Sequence, residues 1–372
     1  MSGDHHQQQH LQKSSLEPRF SLPRTTPASS RTDIVIGGIR VYVYGLDELA
    51  HKTNAEVAVL YLAHNRKRSY LVTEDIAYEV LHRYRTEKGR KKKYELIALT
   101  INMRNHGDRE VCVDFPFPTS VPIFAGRIPS DSKHEFEKQL WVFGSDVYVF
   151  NGQVSPQANY TWDDENDNHG MDLLSMISGS AQDFKLILDY LPAYLPQFTR
   201  FHNIMAGVSL GGHTAWRMAP LASPGQIEGF AMVVGCPSLT PLLLSRLGID
   251  TAADLTTATY DDLEKVMTAE QKRRWPRVLA ELVQEGDRAV ADTFPADLPV
   301  LLCSGALDPL VPARYTAAWV ERRRHLERGG DECNVGSDDG PVRFFVQENT
   351  GHSCTKEMVA LLASWLGDVF QA

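Results

Sequence analysis

The sequence predicts an α/β fold with a mostly parallel central sheet, helices on both faces of the sheet and a helical lid inserted late in the chain. Three observations predict it. Apolar runs of strand length alternate with amphipathic segments of helix length after one initial hairpin. The run at 56–62 is continuously apolar after Glu56, as expected for a strand buried on both faces. The segment 237–296 is charged and helix-rich, and it interrupts the alternation.

The individual elements follow from local patterns. Alternation around Gly37-Gly38 predicts a hairpin over 33–44. Thr73 is the predicted N-cap of a helix over 73–85, and Pro192 the predicted end of a helix over 172–191. Residues 111–170 are irregular and are predicted to cross the sheet edge or the site. The other strands are predicted at 56–62, 94–101, 201–207, 228–235, 298–303 and 342–346, and the other helices at 210–221, 313–327 and 355–369.

Length and charge limit the possible functions. The chain has 372 residues and a net charge of −9, which disfavours electrostatic binding to nucleic acid or to an anionic membrane. Residues 1–32 are predicted to form a disordered tail, followed by an α/β core at 33–236 and 297–372 with the cap or lid at 237–296 between its two parts. The tail has no apolar signal region, and five scattered cysteines suit free thiols, so a cytoplasmic location is expected. The oligomeric state is left open.

A candidate nucleophile lies in Gly207-Val208-Ser209-Leu210-Gly211, which has the pattern G-x-S-x-G. The pattern alone is weak, but here it follows an apolar strand and opens a helix, the context in which it forms a strained turn that exposes a serine hydroxyl. The N–H of Leu210 would then face the reacting carbonyl from a helix N-terminus. The alternative is an ordinary glycine-rich turn with a serine cap.

A serine nucleophile needs a base, and the base needs an orienting acid. Asp308 lies in a proline-braced loop after the strand at 298–303, and His352 lies after the strand at 342–346. The chain order Ser, Asp, His is one of the known triad orders. Asp308 could instead cap the following helix, His352 could be an exposed loop histidine, and Asp331 and Asp338 are rival acids in a glycine-rich loop.

The second oxyanion donor is expected from the loop after the strand at 56–62, which reads Ala63-His64-Asn65-Arg66. Similar enzymes have His-Gly there and use the next amide, which would be that of Arg66. Asn65 stands where Gly is usual, and asparagine tolerates a positive φ better than most residues. No H-E-x-x-H, nucleotide-binding loop or paired-carboxylate motif is found, so no metal and no cofactor are predicted.

At these residues the chain resembles the α/β-hydrolase superfamily, and more narrowly a group of uncharacterised fungal serine α/β hydrolases. The similarity covers about residues 33–370 and is carried by the stretches 43–49, 103–109 and 207–213. Similar proteins often have Asp where this chain has Asn102. The resemblance implies the α/β-hydrolase fold and Ser209, Asp308 and His352 as the triad, but it names no substrate.

The sequence therefore predicts a cofactor-free serine hydrolase that cleaves an ester or thioester of a small to medium acyl substrate through an acyl-enzyme. A peptidase, acyltransferase or lyase with the same triad stays open. The rival from another class is a non-catalytic receptor or binding protein on the same fold, although such proteins typically lose a triad member. Among the other histidines, His213 is expected to pack beneath the elbow, which is the strand-to-helix turn that carries Ser209. His106 is expected to be a hydrogen-bonding scaffold, and His169 to line the pocket or start a helix.

Overall fold

A computed structural model describes residues 16–110, 149–150, 153–154, 157–249, 259–327 and 340–372. Its main sheet has eight strands in the order β1-β2-β4-β3-β7-β8-β9-β10. Strands β1 and β2 form an antiparallel hairpin, β2 pairs antiparallel with β4, and every other neighbouring pair is parallel. The eight strands are β1 (Arg31–Ile36), β2 (Ile39–Tyr44), β3 (Ala55–Ala63), β4 (Glu95–Thr100), β7 (Phe198–Val208), β8 (Gly229–Val233), β9 (Val300–Gly305) and β10 (Val342–Gln347).

Nine helices and a small second sheet complete the described part of the chain. The helices are α1 (Tyr70–Thr86), α2 (His169–Tyr194), α3 (Leu210–Met218), α4 (Leu239–Arg246), α5 (Tyr260–Val266), α6 (Ala269–Arg274), α7 (Arg277–Thr293), α8 (Ala313–Glu327) and α9 (Lys356–Val369). The second sheet pairs β5 (Val149–Phe150) with β6 (Gln153–Val154). The predicted fold class, an α/β-hydrolase fold with a mostly parallel sheet, is confirmed. Among the described helices, none combines the length and apolar character that crossing a bilayer requires.

The two faces of the sheet carry separate apolar layers. Helices α1 and α9 cover one face, and α2, α3 and α8 cover the other together with α4 and α7. The seven residues Val57–Ala63 of β3 are all buried, because the strand lies inside the sheet with helices on both sides. The continuous apolar run in the sequence thus corresponds to the doubly covered strand that it predicts.

Two predicted helix boundaries differ from the structure. Helix α1 begins at Tyr70, so Thr73 lies inside its first turn, where its hydroxyl bonds the carbonyl oxygen of Tyr70 and the hydroxyl of Thr100. Helix α2 continues through Pro192 to Tyr194, since a proline near a helix end removes only one backbone bond. The predicted excursion at 111–170 falls mostly outside the described residues.

The amino-terminal segment also differs from its prediction. Glu17 N–H donates to Asn349 O at 2.8 Å, and Phe20 N–H donates to Cys354 O at 2.7 Å. The chain therefore contacts the core well before residue 33. The predicted disorder of 1–15 lies outside the described residues.

The strand-to-helix turn after β7 leaves no room for side chains at two glycines. A Cβ at Gly207 would lie 2.0 Å from Gly211 O, and a Cβ at Gly211 would lie 2.0 Å from Ala63 O. These contacts involve backbone atoms that belong to β3, β7 and α3, so a side chain could enter only by separating the three elements.

Gly211→Ala should lower the free energy of unfolding much more than Gly225→Ala. Gly225 has φ +74° with open space around it, so alanine there should cost only about 1 kcal/mol of backbone strain. Urea titrations of the purified variants measure the difference. Equal losses for the two variants would mean that the backbones can separate cheaply.

Candidate active site

Ser209 occupies a strained turn between β7 and α3. Its φ of 55° and ψ of −111° lie outside the regions that a serine normally adopts. Two backbone bonds hold it: Ser209 N–H donates to Val233 O at 2.8 Å, and His213 N–H donates to Ser209 O at 2.9 Å. The turn consequently directs the hydroxyl away from the sheet and leaves the first N–H groups of α3 beside it.

The structure brings the three predicted triad residues together, although they are far apart in the chain. Ser209 Oγ lies 2.7 Å from His352 Nε2. His352 Nδ1 lies 2.8 Å from Asp308 Oδ2. A neutral imidazole with its proton on Nδ1 donates to the carboxylate and leaves Nε2 free to accept the serine proton. The arrangement is that of a nucleophile, a base and an orienting acid.

The Asp308 carboxylate is fixed by its own loop rather than by α8. Its side chain is fully buried, and Oδ1 accepts the N–H groups of Leu310 and Val311, each at 2.9 Å. The N-cap interpretation is therefore not what the structure contains, because α8 begins only at Ala313. Two loops also approach closely here, since a Cβ at Gly305 would lie 2.3 Å from Gly351 O.

The loop after β3 differs from the expected geometry. The left-handed residue is Lys67, with φ 58°, and not Asn65. The N–H of Lys67 donates to His106 Nε2 at 3.0 Å, and buried His64 accepts from Met103 N–H at 2.9 Å. The interpretation of Asn65 as a substitute for a left-handed glycine is thus wrong, because the turn closes two residues later.

Asn102, the departure from the α/β-hydrolase pattern, joins two segments near this loop. Its Oδ1 accepts from Tyr70 N–H at 2.9 Å, and its Nδ2 donates to Asp108 Oδ1 at 2.7 Å. An aspartate at this position would place a second carboxylate against Asp108. The amide avoids that repulsion while it anchors the start of α1.

A narrow cavity opens beside the serine. Asn65 borders it from the β3 loop, Val72 and Ile76 from α1, and Arg19 and Phe20 from the amino-terminal segment. None of the described residues of 237–296 borders this cavity, and Leu242, Leu243 and Leu244 are buried in the core instead. These three leucines of the predicted lid therefore pack in the core and do not wall the cavity.

Three features of the site escaped the sequence interpretation. Val234, directly after β8, has φ 47°, which is a genuine outlier for a β-branched residue, and it borders the cavity. His64 matches the histidine of the His-Gly pattern, but its complete burial was not predicted. Arg246 is the last residue of the apolar helix α4, where a basic side chain is ordinary, so no local signal identified it.

Four buried histidines surround the site and are held neutral. Burial lowers the pKa of His64 to about 3, with a further contribution from His106, and lowers the pKa of His213 to about 3. Burial likewise lowers the pKa of His106 to about 4 and, with help from two arginines, that of His169 to about 3. His213 packs beneath the elbow against the backbone of Cys236, as expected.

These histidines predict a loss of stability in mild acid. Each stays neutral when folded but binds a proton near pH 6.5 when unfolded, so the unfolded state gains protons as the pH falls. The stability contribution is complete above pH 6.5 and should fall by up to about 1.4 kcal/mol per pH unit and histidine below it. Urea titrations at pH 7.5, 6.5 and 5.5 measure how the free energy of unfolding changes with pH. In His169→Gln, the number of protons taken up on unfolding should be lower by one. A midpoint that does not change over this range would contradict the prediction.

No protein-family profile matches the chain, and no curated protein matches it. Several solved structures are similar to it in fold. TT1662 from Thermus thermophilus is 13% identical, with 93% of this chain and all of that chain covered at a TM-score of 0.52. An esterase from Pyrobaculum calidifontis is 13% identical, with 94% of this chain and 88% of that chain covered at a TM-score of 0.46. Acetyl xylan esterase 1 from Thermoanaerobacterium sp. JW/SL YS485 is 13% identical, with 95% and 87% covered at a TM-score of 0.45. At these identities the likeness concerns the fold.

Proposed function

We propose that the protein is a serine hydrolase that cleaves an ester or thioester of a small to medium acyl group. The observation that carries this proposal is the continuous hydrogen-bonded series from Ser209 Oγ through His352 to Asp308, at 2.7 and 2.8 Å. The series meets a strained serine beside a cavity, which is the arrangement that nucleophilic catalysis requires.

The proposed reaction has two halves. His352 Nε2 takes the proton of Ser209 as Oγ attacks the acyl carbon, and the same nitrogen then returns the proton to the leaving alcohol or thiol. The N–H groups of Leu210 and Arg66 are the proposed donors to the oxyanion. Water, deprotonated by His352, then attacks the acyl-enzyme and releases the acid. Asp308 keeps the imidazole in the required tautomer, and no step needs a metal or cofactor.

We also propose that 237–296 acts as a cap over the site. Asp287 in α7 supports this assignment, because its carboxylate pairs with Arg217 of α3 at 2.6 Å and accepts the N–H groups of Leu239 and Thr240 at 2.9 Å. The cap is thereby attached to the helix that follows the nucleophile. A cytoplasmic location, thioester specificity and the narrower likeness to fungal hydrolases remain parts of the same proposal.

Ser209→Ala should abolish ester hydrolysis and labelling by a fluorophosphonate probe while the protein stays folded. Loss of the nucleophile typically lowers kcat by about 10⁴- to 10⁶-fold. The matched control is Ser175→Ala, since Ser175 is exposed on α2. Assays use p-nitrophenyl esters of graded acyl length beside acyl-thioesters. A folded wild-type protein that neither labels nor turns over any of them would instead favour a binding protein on this fold.

Asp308→Asn should lower kcat by about 10⁴-fold without unfolding the protein, because an amide at Oδ2 favours the wrong imidazole tautomer. Asp331→Asn and Asp338→Asn, the rival acids, should remain active. Circular dichroism checks the fold of each variant. An active Asp308→Asn beside an inactive Asp331→Asn or Asp338→Asn would mean that the acid has been misassigned.

A further inference from the structure

Two arginines from distant parts of the chain converge on one buried histidine next to the candidate active site. Arg66 Nη1 lies 3.2 Å from His169 Nδ1, and Arg246 Nη1 lies 3.4 Å from His169 Nε2. His169 has no exposed surface, and it packs edge-on against Trp162 with ring centroids 5.0 Å apart. The imidazole ring thus separates two guanidinium groups.

This contact cannot satisfy both arginines. A guanidinium only donates hydrogen bonds, and a neutral imidazole has a single accepting nitrogen. His169 is neutral, since burial and the two positive charges lower its pKa to about 3. One arginine therefore faces an N–H group or a nitrogen that is already occupied. In addition, Arg246 Nε is fully buried and has no hydrogen-bond partner.

No carboxylate of the described residues lies within salt-bridge distance of either arginine. The contrast with other arginines of the same fold is direct: Arg104 and Arg109 both pair with Asp183, at 3.0 and 2.8 Å, and Arg217 pairs with Asp287. Burial, followed by repulsion from Arg246, lowers the pKa of Arg66 to about 10. The nearest carboxylates act only from a longer distance, Asp164 on Arg66 and Asp308 and Asp163 on Arg246. Two largely buried positive charges without a paired carboxylate among the described residues are costly, and they favour an anion beside them.

The position of the pair connects it to the reaction centre. Arg66 directly follows Asn65, which borders the cavity beside Ser209. Arg246 Nη2 donates to Leu310 O at 2.8 Å, and the N–H of that same Leu310 holds the Asp308 carboxylate. The two guanidinium groups therefore lie between the oxyanion loop and the acid loop, next to the cavity but not among the residues that border it.

We propose that Arg66 and Arg246 bind an anionic group of the substrate, so that the hydrolase acts on esters or thioesters that carry a carboxylate or a phosphate remote from the scissile bond. Arginine suits this role because its planar donors match both anions in a bidentate manner. His169 acts as a neutral spacer that keeps the guanidinium groups apart and directed at the anion. This inference rests on the proposed function, since it names the substrate class of the same site.

The first test compares monomethyl adipate with dimethyl adipate, which differ in the remote charge. The wild-type kcat/KM, followed by acid release, should favour the charged monoester by roughly 10- to 100-fold, as expected for charge-assisted hydrogen bonds. Arg246→Met and Arg66→Met should each reduce this preference at least tenfold. The matched control is Arg273→Met, whose guanidinium is largely exposed and pairs with Asp167, and it should keep the wild-type preference.

The second test measures binding without turnover. Adipate and inorganic phosphate are titrated separately into the Ser209→Ala protein and into the same protein with Arg246→Met, and Tm is recorded. Stabilisation by adipate alone assigns a carboxylate substrate, and stabilisation by phosphate alone assigns a phosphate-bearing one; either result supports the inference if Arg246→Met removes it. Arg66→Met serves as the second variant if Arg246→Met fails to fold.

The outcomes separate the two proposals. Triad-dependent hydrolysis of dimethyl adipate with no preference for the monoester, and no stabilisation by either anion, would overturn the arginine site while leaving the hydrolase intact. Absence of all hydrolysis and of probe labelling would overturn the hydrolase. Anion stabilisation that persists in both arginine variants would locate the anion elsewhere and would also overturn the inference.

Discussion

The close approach of β3, β7 and α3 is the constraint on which the candidate site depends. Gly207 and Gly211 have no side chains, so carbonyl oxygens occupy the positions where Cβ atoms would otherwise lie, 2.0 Å away. This contact sets the strained conformation of Ser209 and holds the loop after β3 within reach of the serine. The loops that carry Asp308 and His352 also approach closely because a glycine, Gly305, has no side chain at the contact. Backbone contacts, rather than side-chain packing, therefore determine the relative positions of the reactive groups.

Charge around the site is arranged by burial. The carboxylate of Asp308 is buried but satisfied by two backbone N–H groups and an imidazole. The histidines that fill the surroundings are neutral, so they add shape and hydrogen bonds without adding charge. Arg66 and Arg246 instead add positive charge near the site, and Arg19 adds a further positive charge at the cavity itself. This asymmetry leaves the surroundings of the nucleophile electropositive although the chain as a whole is acidic.

The sequence predicts the fold class well because a strand must be apolar where helices cover both of its faces, and β3 is apolar throughout its buried part, Val57–Ala63. The three reactive residues could be found because each follows a strand, and parallel strands end at one edge of the sheet. Local patterns could not predict the left-handed Lys67, since its turn depends on a hydrogen bond to His106 from another loop. The arginine pair was missed for a related reason: Arg66 and Arg246 are 180 residues apart, and only tertiary packing brings them to His169.

The order of the strands gives the reactive groups unequal mechanical support. Ser209 follows β7, which lies in the middle of the sheet, whereas His352 follows β10, which among the described strands lies at the edge of the sheet beside β9. Edge elements open locally before central ones do. Local opening of β10 would move His352 away from Ser209, while Ser209 would stay in place on the central strand. The geometry of the candidate triad is therefore more fragile than the fold, and the edge strand sets its limit.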